Sequence, residues 1–586
     1  MLLSVLDLGI LLAFFVLSLV IGLAVTKRSS SSSSEYFLGG RNMPYWLLGV
    51  SMVATTFAID TPNLVAGIVR RDGVAGNWVW WAFLLNGLLT VFVFARLWRR
   101  SGVKTDLEFY ELRYSGRGAA FLRGFRAVYL GVFFNVMIMA TVCLAGVKLG
   151  SVMFGASPVV TLCVASAVTL VYSSFGGFVG VLATDLFQFG VAMAGSIGAA
   201  VWLVDLPQVG GLSALVRHPN VQDKLALLPD FSNSDAWMTL LVLPLCVQWW
   251  SVWYPGSEPG GGGYVAQRML AAKDERHAIG ATLFFNWAHY ALRPWPWILV
   301  ALASLIVFPT RAALQAAFPH MPAELVQDDL SYPAMLTLLP SGLLGLVVTS
   351  LVAAFTSTIS THLNWGSSYL VNDVYQRFID PDASEEKLVR LGRLSTALLM
   401  LLGAFVALAL QSSMQAFEIL LQMGAGTGLV FVLRWLWWRV NAATEISAMI
   451  ASLLVAVILP IACPELGAGL RLVVSVAVTS VVWLAATWLT EPTSDETLER
   501  FFLLTRPPGP GWAPVRARIA ASQQRVEPAS SSLGADLMAF VAGTFAIYAM
   551  LFGTGLWLYG RPLLGGGAVL LGGAVLVALG VRAARS

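Results

Sequence analysis

About fifteen separate apolar runs, each close to the roughly 20 residues that carry a helix across a bilayer, constrain this chain more than any other feature. They centre near residues 15, 57, 87, 138, 166, 194, 245, 295, 353, 400, 427, 453, 480, 546 and 572. With 57% hydrophobic and only 12% charged residues, the chain is too apolar for water-soluble domains. The expectation is an all-α polytopic membrane protein. A β-barrel is excluded because the runs are continuous rather than alternating.

Charge gives a direction to this ladder of spans. Most of the 36 Lys and Arg residues fall on loops after odd-numbered spans, among them Arg96, Arg99, Arg100, Lys104, Arg123, Arg126, Arg268, Lys273, Arg390 and Arg393. Cations collect on the cytoplasmic side of membrane helices, so the N-terminus is expected outside and the C-terminus inside. The first span is expected to stay as a helix: Asp7 precedes it, Lys27-Arg28 follow it, and no small-residue cleavage site closes it. Cys143, Cys163, Cys246 and Cys463 stand singly in apolar stretches, without metal or disulfide spacing, and read as buried packing thiols. A serine run, Ser29 to Ser34, forms a flexible cytosolic linker. The polar stretch 491–535 is too short for a substantial core of its own, so no soluble catalytic or output domain is expected there.

Two spans are interrupted. The second contains "DTPNLVAG" (Asp60 to Gly67), and the seventh carries Pro244 and ends in "WYPGSEPGGGGY". Proline removes a helix donor and glycine loosens the backbone, and irregular backbone at that depth is tolerated where it lines a cavity or is buried in protein. Interrupted spans five apart are the sequence sign of two inverted repeats holding substrate and ion between them. Aromatic clusters at Trp78–Phe83 and Trp249–Tyr254 read mainly as interfacial belts, with stacking on a sugar ring as the alternative.

The ninth span poses the sharpest chemical question, because five of the six residues Thr356 to Thr361 carry hydroxyls. Back-bonding to the helix or close packing explains one or two. A run this dense suits a hard monovalent cation, which neutral oxygens coordinate beside the carbonyls of broken helices. Ionisable residues inside spans are costly and each needs a reason: Asp60, Asp185, His289, Arg293, His362 and Glu418. Glu418 and Gln422 share a helical face. Asp185 lies near a cytosolic helix end, where capping and functional roles are both open. His289 and His362 read as satisfied interior histidines, and Arg293 as the partner of an acid. There is no GxxxxGK[ST], HExxH or CxxC motif.

Four stretches together resemble the sodium:solute symporter family, whose members include sodium/proline and sodium/sugar symporters: "EYFLGGRNMPYW" (Glu35 to Trp46), "YSSFGGFVGVLATDLFQ" (Tyr172 to Gln188), "GGGGYVAQRMLAAKDE" (Gly260 to Glu275) and "AAFTSTISTHLNWGSSYLVNDVY" (Ala353 to Tyr375). The resemblance implies a leucine-transporter-like fold with a transport core at 35–440, made of five-helix inverted repeats at about 44–206 and 237–440. A peripheral first helix (1–28), peripheral helices (441–490), a cytosolic loop (491–535) and C-terminal helices (536–586) would complete the chain. It also implies a sodium site of carbonyls from Ala54, Phe57 and Ala354 and hydroxyls from Ser357 and Thr358. Asp185 matches a family aspartate near the ion pathway, and with Thr361 it is a candidate for a second ion. Substrate positions fall on Asp60, Thr61, Asn77, Gly262 and Glu418, with Gln422 beside the last. Gly262 replaces the family's sugar-contacting amide, which puts a familiar hexose site in doubt.

The expected function is sodium-coupled symport of a small organic solute by alternating access, with a sugar or polyol favoured over an amino acid or monocarboxylate. Sodium is the coupling ion and no other cofactor is expected. The location is a cell membrane, with no nucleic-acid partner. A passive channel and a proton-coupled transporter are the alternatives. A polytopic membrane enzyme would need an acid/His/Arg cluster at one interface, and none is evident.

Overall fold

The computed structural model describes residues 3–26, 39–103, 105–172, 178–254, 257–522 and 532–585. Lys27, Arg28, Ser29 to Ser34, Lys104 and parts of two family-like stretches, residues 35–38 and 173–177, lie outside the described residues. All regular structure among the described residues is helical, apart from an isolated bridge between Met43 and Ala272. Eleven of these helices are long and apolar enough to cross a membrane, and one bent pair makes a twelfth. Three shorter apolar helices, Val5–Ser18, Pro158–Ala167 and Ser234–Gln248, fall where the remaining sequence runs are centred. This is a multi-pass membrane protein.

The chain begins with α1 (Val5–Thr26), the bent pair α2 (Tyr45–Thr55) and α3 (Asp60–Asp72), α4 (Val74–Ser101) and α5 (Gly116–Phe154). Next come α6 (Pro158–Tyr172), α7 (Phe178–Val204), α8 (Ser234–Gln248), α9 (Gly263–Ala271) and α10 (Glu275–Val307). Then follow α11 (Leu343–Ile379), α12 (Glu385–Ala407), α13 (Ser413–Leu436), α14 (Ala442–Ala462), α15 (Ala468–Leu489), α16 (Leu533–Leu558) and α17 (Pro562–Ala583). Helices α4, α10 and α11 are mostly buried, whereas α12 and α14 to α17 turn most of their surface outward.

Both expected interruptions are present. Between α2 and α3 the axis bends by 64°. Phe57 N–H donates to Ala54 O (3.0 Å) and the Thr56 hydroxyl to Val53 O (2.9 Å), which closes α2. The chain restarts with Asp60 in the first turn of α3, where an acid favours the helix dipole, and Pro62 stands where no donor is missed. Around Pro244, α8 widens into π turns and stops at Gln248. The described residues from there to Gly262 contain no helix; the chain passes through Gly260 (φ 85°) and Gly261 (φ 89°) and starts α9. These positive angles explain the run of glycines.

Asp7 has a role that its position before an apolar run does not reveal. Its Oδ1 accepts from the backbone N–H groups of Gly342 (2.7 Å) and Gly345 (2.8 Å), and Oδ2 from Ser4. It thus caps α11 from another helix, satisfying donors that every helix start leaves orphaned. Asp7→Ala is expected to cost about 1–2 kcal/mol, as N-cap removal does, and to loosen α1; thermal melting of the purified protein in detergent, unchanged, would disprove this.

Two expectations need correction, and a third gains detail. Cys163, Cys246 and Cys463 are exposed on the protein surface, and only Cys143 is buried; an apolar helix facing lipid satisfies a thiol as well as a core does. Trp78, Trp80 and Trp81 are interior rather than a belt, because α4 is wrapped by α8, α10 and α16. The stretch after Glu491 is packed: Phe501 and Trp512 are fully buried, the Arg113 guanidinium lies over both rings (5.4 and 4.9 Å), and the Trp512 indole donates to Trp435 O. It borrows a core from α4 and α13 and needs none of its own.

Candidate functional site

The break between α2 and α3 opens on a cavity of about 70 Å³. Thr55, Thr56, Asp60 and Thr61 line it from the break, Thr141 from α5, Trp253 and Tyr254 from the α8–α9 passage, Tyr264 from α9, Thr358 and His362 from α11, and Ser413 and Phe417 from α13. Two interrupted helices and the hydroxyl-rich helix therefore meet at one place. α11 touches α2 directly.

The five hydroxyls of α11 separate into two kinds. Thr356 donates back to Val352 O and Ala353 O, and Ser360 to Ser357 O. Ser357, Thr358 and Thr361 make no such bond among the described residues. Together with Ala354 these three follow the i, i+3, i+4, i+7 spacing of one helical face, and Thr358 brings that face to the cavity. Back-bonding thus accounts for the hydroxyls turned away, and leaves free the pair that the family resemblance picks out.

One turn before the break, Asp185 is 2% exposed and engaged from two sides. Ser51 donates to it (2.5 Å), and Arg268 lies 3.8 Å away while also donating to Ser51 (3.2 Å) and Thr55 (3.1 Å). The capping alternative is therefore wrong: Asp185 ties α7 to α2 and α9. Arg268, counted above as a loop cation, is the buried partner.

Asp60 lines the cavity, and its Oδ1 accepts no hydrogen bond. Arg293, expected to pair with an acid, forms no ion pair among the described residues. Instead it donates to Thr56 Oγ1 (3.2 Å) and Val53 O (3.4 Å), meets His289 Nε2 (3.3 Å) and lies over Trp297. Because Nε2 faces a guanidinium donor, His289 carries its hydrogen on Nδ1, toward Thr56. His362 Nδ1 meets Asn135 Oδ1 (2.5 Å), and Asn135 donates back to His362 O (2.8 Å). Both histidines are hydrogen-bonded.

The other substrate positions lie elsewhere. Asn77 folds its amide onto Val74 O and accepts from the Trp80 indole, and it does not line the cavity. A Cβ on Gly262 would meet the Glu258 side chain at 2.9 Å, so this position faces Glu258. Glu418 and Gln422 line a separate cavity of about 100 Å³ with Arg71 and Gln248; Phe417 borders both cavities.

Sequence reasoning missed a buried charge network beside the α8–α9 passage. Glu258 pairs with Arg126 and lies 3.5 Å from Arg434; Glu445 lies 3.9 and 3.7 Å from the same two cations. Tyr114 donates to Glu445 (2.5 Å), and Arg434 donates to Tyr110 (2.8 Å). All four charged side chains are at most 1% exposed. The only signal in the sequence was the cost of burying such groups, and Arg126 lies close enough to a loop to escape it.

A model of the sodium:solute symporter family matches residues 36–452, well over half of the chain. The chain belongs to the sodium:solute symporter family. The matched range contains the broken pair, the α8–α9 passage, the hydroxyl face and the whole charge network. Among family members, the sodium/glucose cotransporter of Vibrio parahaemolyticus is 23% identical over 470 residues, covering 77% of this chain and 84% of that protein. The sodium/myo-inositol cotransporter 2 of Bos taurus is 25% identical over 556 residues, covering 85% and 79%. A solved Na+-coupled sialic acid symporter, substrate-bound and outward-open, superposes with a TM-score of 0.63 at 19% identity, covering 84% of this chain and 99% of that one. This last likeness concerns the fold.

Proposed function

We propose that this protein couples the inward flow of sodium to uptake of a small organic solute by alternating access. The observation that carries the reading is the face of Ala354, Ser357, Thr358 and Thr361, whose hydroxyls are free of the helix and which turns toward the break after Ala54. Sodium is held by the carbonyls of Ala54, Phe57 and Ala354 and the hydroxyls of Ser357 and Thr358. Asp185 and Thr361 belong to a second ion site or to the release pathway. The core consists of two inverted five-helix repeats within 35–440, in a chain of fifteen spans with its N-terminus outside and C-terminus inside. The two interrupted helices and the distribution of Lys and Arg support this arrangement.

The solute occupies the cavity beside Asp60 and Thr61. A sugar or polyol is favoured by the named substrates of the relatives, glucose and myo-inositol. One charge moved through 100 mV yields about 2.3 kcal/mol, and a tenfold sodium gradient adds about 1.4, enough for accumulation of a few hundredfold per sodium.

The test is uptake into proteoliposomes of sugars, polyols, amino acids, monocarboxylates and nucleosides, with and without a sodium gradient. At least one solute is expected to accumulate only with sodium. A flux that never concentrates any solute would replace this reading with a passive channel. Ser357→Ala and Thr358→Ala are each expected to raise the sodium concentration for half-maximal uptake about tenfold, equivalent to about 1.4 kcal/mol for a lost ligand. Unchanged sodium dependence in both variants removes these hydroxyls from the site.

A further inference from the structure

Resting on the symport reading, we infer that the transported solute carries a protonated amino group, received by Asp60. The cavity is asymmetric in charge. Among the described residues, Asp60 is the carboxylate on its wall, and no Lys, Arg, Asn or Gln side chain lines it. Arg293, a nearby cation, is held behind Thr56 by that hydroxyl, Val53 O and His289. His362 is occupied by Asn135. An anionic solute would find no positively charged side chain on these walls. A neutral polyol would find hydroxyls, but would leave the carboxylate in a largely apolar enclosure with only Arg293, set back behind Thr56, as a countercharge.

An ammonium group answers both points. It forms a charge-assisted hydrogen bond to the carboxylate, stronger than a neutral one. The aromatic walls suit the same group: Trp253 and Tyr254 meet edge to face at 4.4 Å and Tyr254 stacks with Tyr264 at 5.9 Å. Ring faces attract cations. Thr61 remains for a hydroxyl on the rest of the solute. An amino sugar or aminated polyol combines these features, whereas a monocarboxylate has none of the cationic character the cavity demands.

The experiment uses the full-length protein in proteoliposomes and solute triplets that differ at one carbon: glucosamine, glucose and N-acetylglucosamine, with matching inositol derivatives. In at least one triplet the amine is expected to be taken up at least tenfold faster than its hydroxyl and acetamide counterparts. Asp60→Asn should remove that preference and Asp60→Glu should keep part of it. Binding of radioactive sodium by Asp60→Asn, at the wild-type level, shows that the variant is folded. Sodium-dependent uptake without amine preference, or a preference that survives in Asp60→Asn, overturns this inference and leaves symport standing. Absence of sodium-dependent uptake throughout the triplets and the wider solute panel overturns both.

Discussion

Alanine at Gly428 is expected to abolish sodium-dependent uptake and to lower the melting temperature of the purified protein by several degrees. A Cβ built there lies 1.7 Å from Trp250 O, and one at Gly424 lies 1.9 Å from Val252 O. Both glycines therefore let α13 approach the non-helical backbone after α8. Replacing glycine by alanine inside an unobstructed helix stabilises it by about 0.5–1 kcal/mol. Overpacking costs about 1–3 kcal/mol and occasionally more, and the upper end applies because a carbonyl fixed in the chain cannot rotate away as a side chain can. The passage that would be displaced carries Trp253 and Tyr254 into the cavity, so the geometry of the site suffers with the fold. Gly566→Ala and Gly567→Ala in α17 serve as controls: nothing lies within 4 Å of an added methyl at either, and both should be neutral or mildly stabilising. Wild-type uptake and melting in Gly428→Ala would show that α13 does not need this approach.

The membrane class, the helix break at Asp60 and Pro62, and the interruption after Pro244 were legible because each follows from a local rule of hydropathy or backbone chemistry. The dense hydroxyls of α11 were legible as an anomaly, but their division into bonded and free groups depends on the rotation of each side chain toward its own helix. Asn77 and Gly262 lie off the cavity for a different reason: a residue one turn from a site can face away from it, and a turn can engage an amide, as Val74 and Trp80 do for Asn77. Asp7 and Arg126 show the complementary failure. Both sit near the ends of apolar runs, where a charge normally meets water, yet one caps a helix 335 residues away in sequence and the other lies in the interior. Long-range pairing leaves no local trace.

The buried network makes the second strong prediction. Glu258→Gln removes one of two carboxylates that face Arg126 and Arg434, leaving two guanidinium groups with Glu445 alone. Breaking a buried pair by neutralising one partner costs about 3–5 kcal/mol, since the remaining charge is left uncompensated in a medium of low dielectric. Arg113 cannot relieve the imbalance; it is a third cation, bonded to the carbonyls of Arg434, Trp437 and Trp438. If charge balance is what the network requires, the double variant Arg126→Met with Glu258→Gln should melt above the single Glu258→Gln, because Arg434 and Glu445 remain as a matched pair and an apolar side chain replaces the stranded cation. A difference of about 2 kcal/mol in favour of the double variant is expected from the scale of such replacements. The exposed pair Arg390 and Glu386, with 81% and 86% of their side chains accessible, provides the reference: Glu386→Gln should have no measurable effect. A double variant no more stable than Glu258→Gln would mean that shape and hydrogen bonding around Arg126, rather than its charge, hold the α8–α9 passage against α5 and α13.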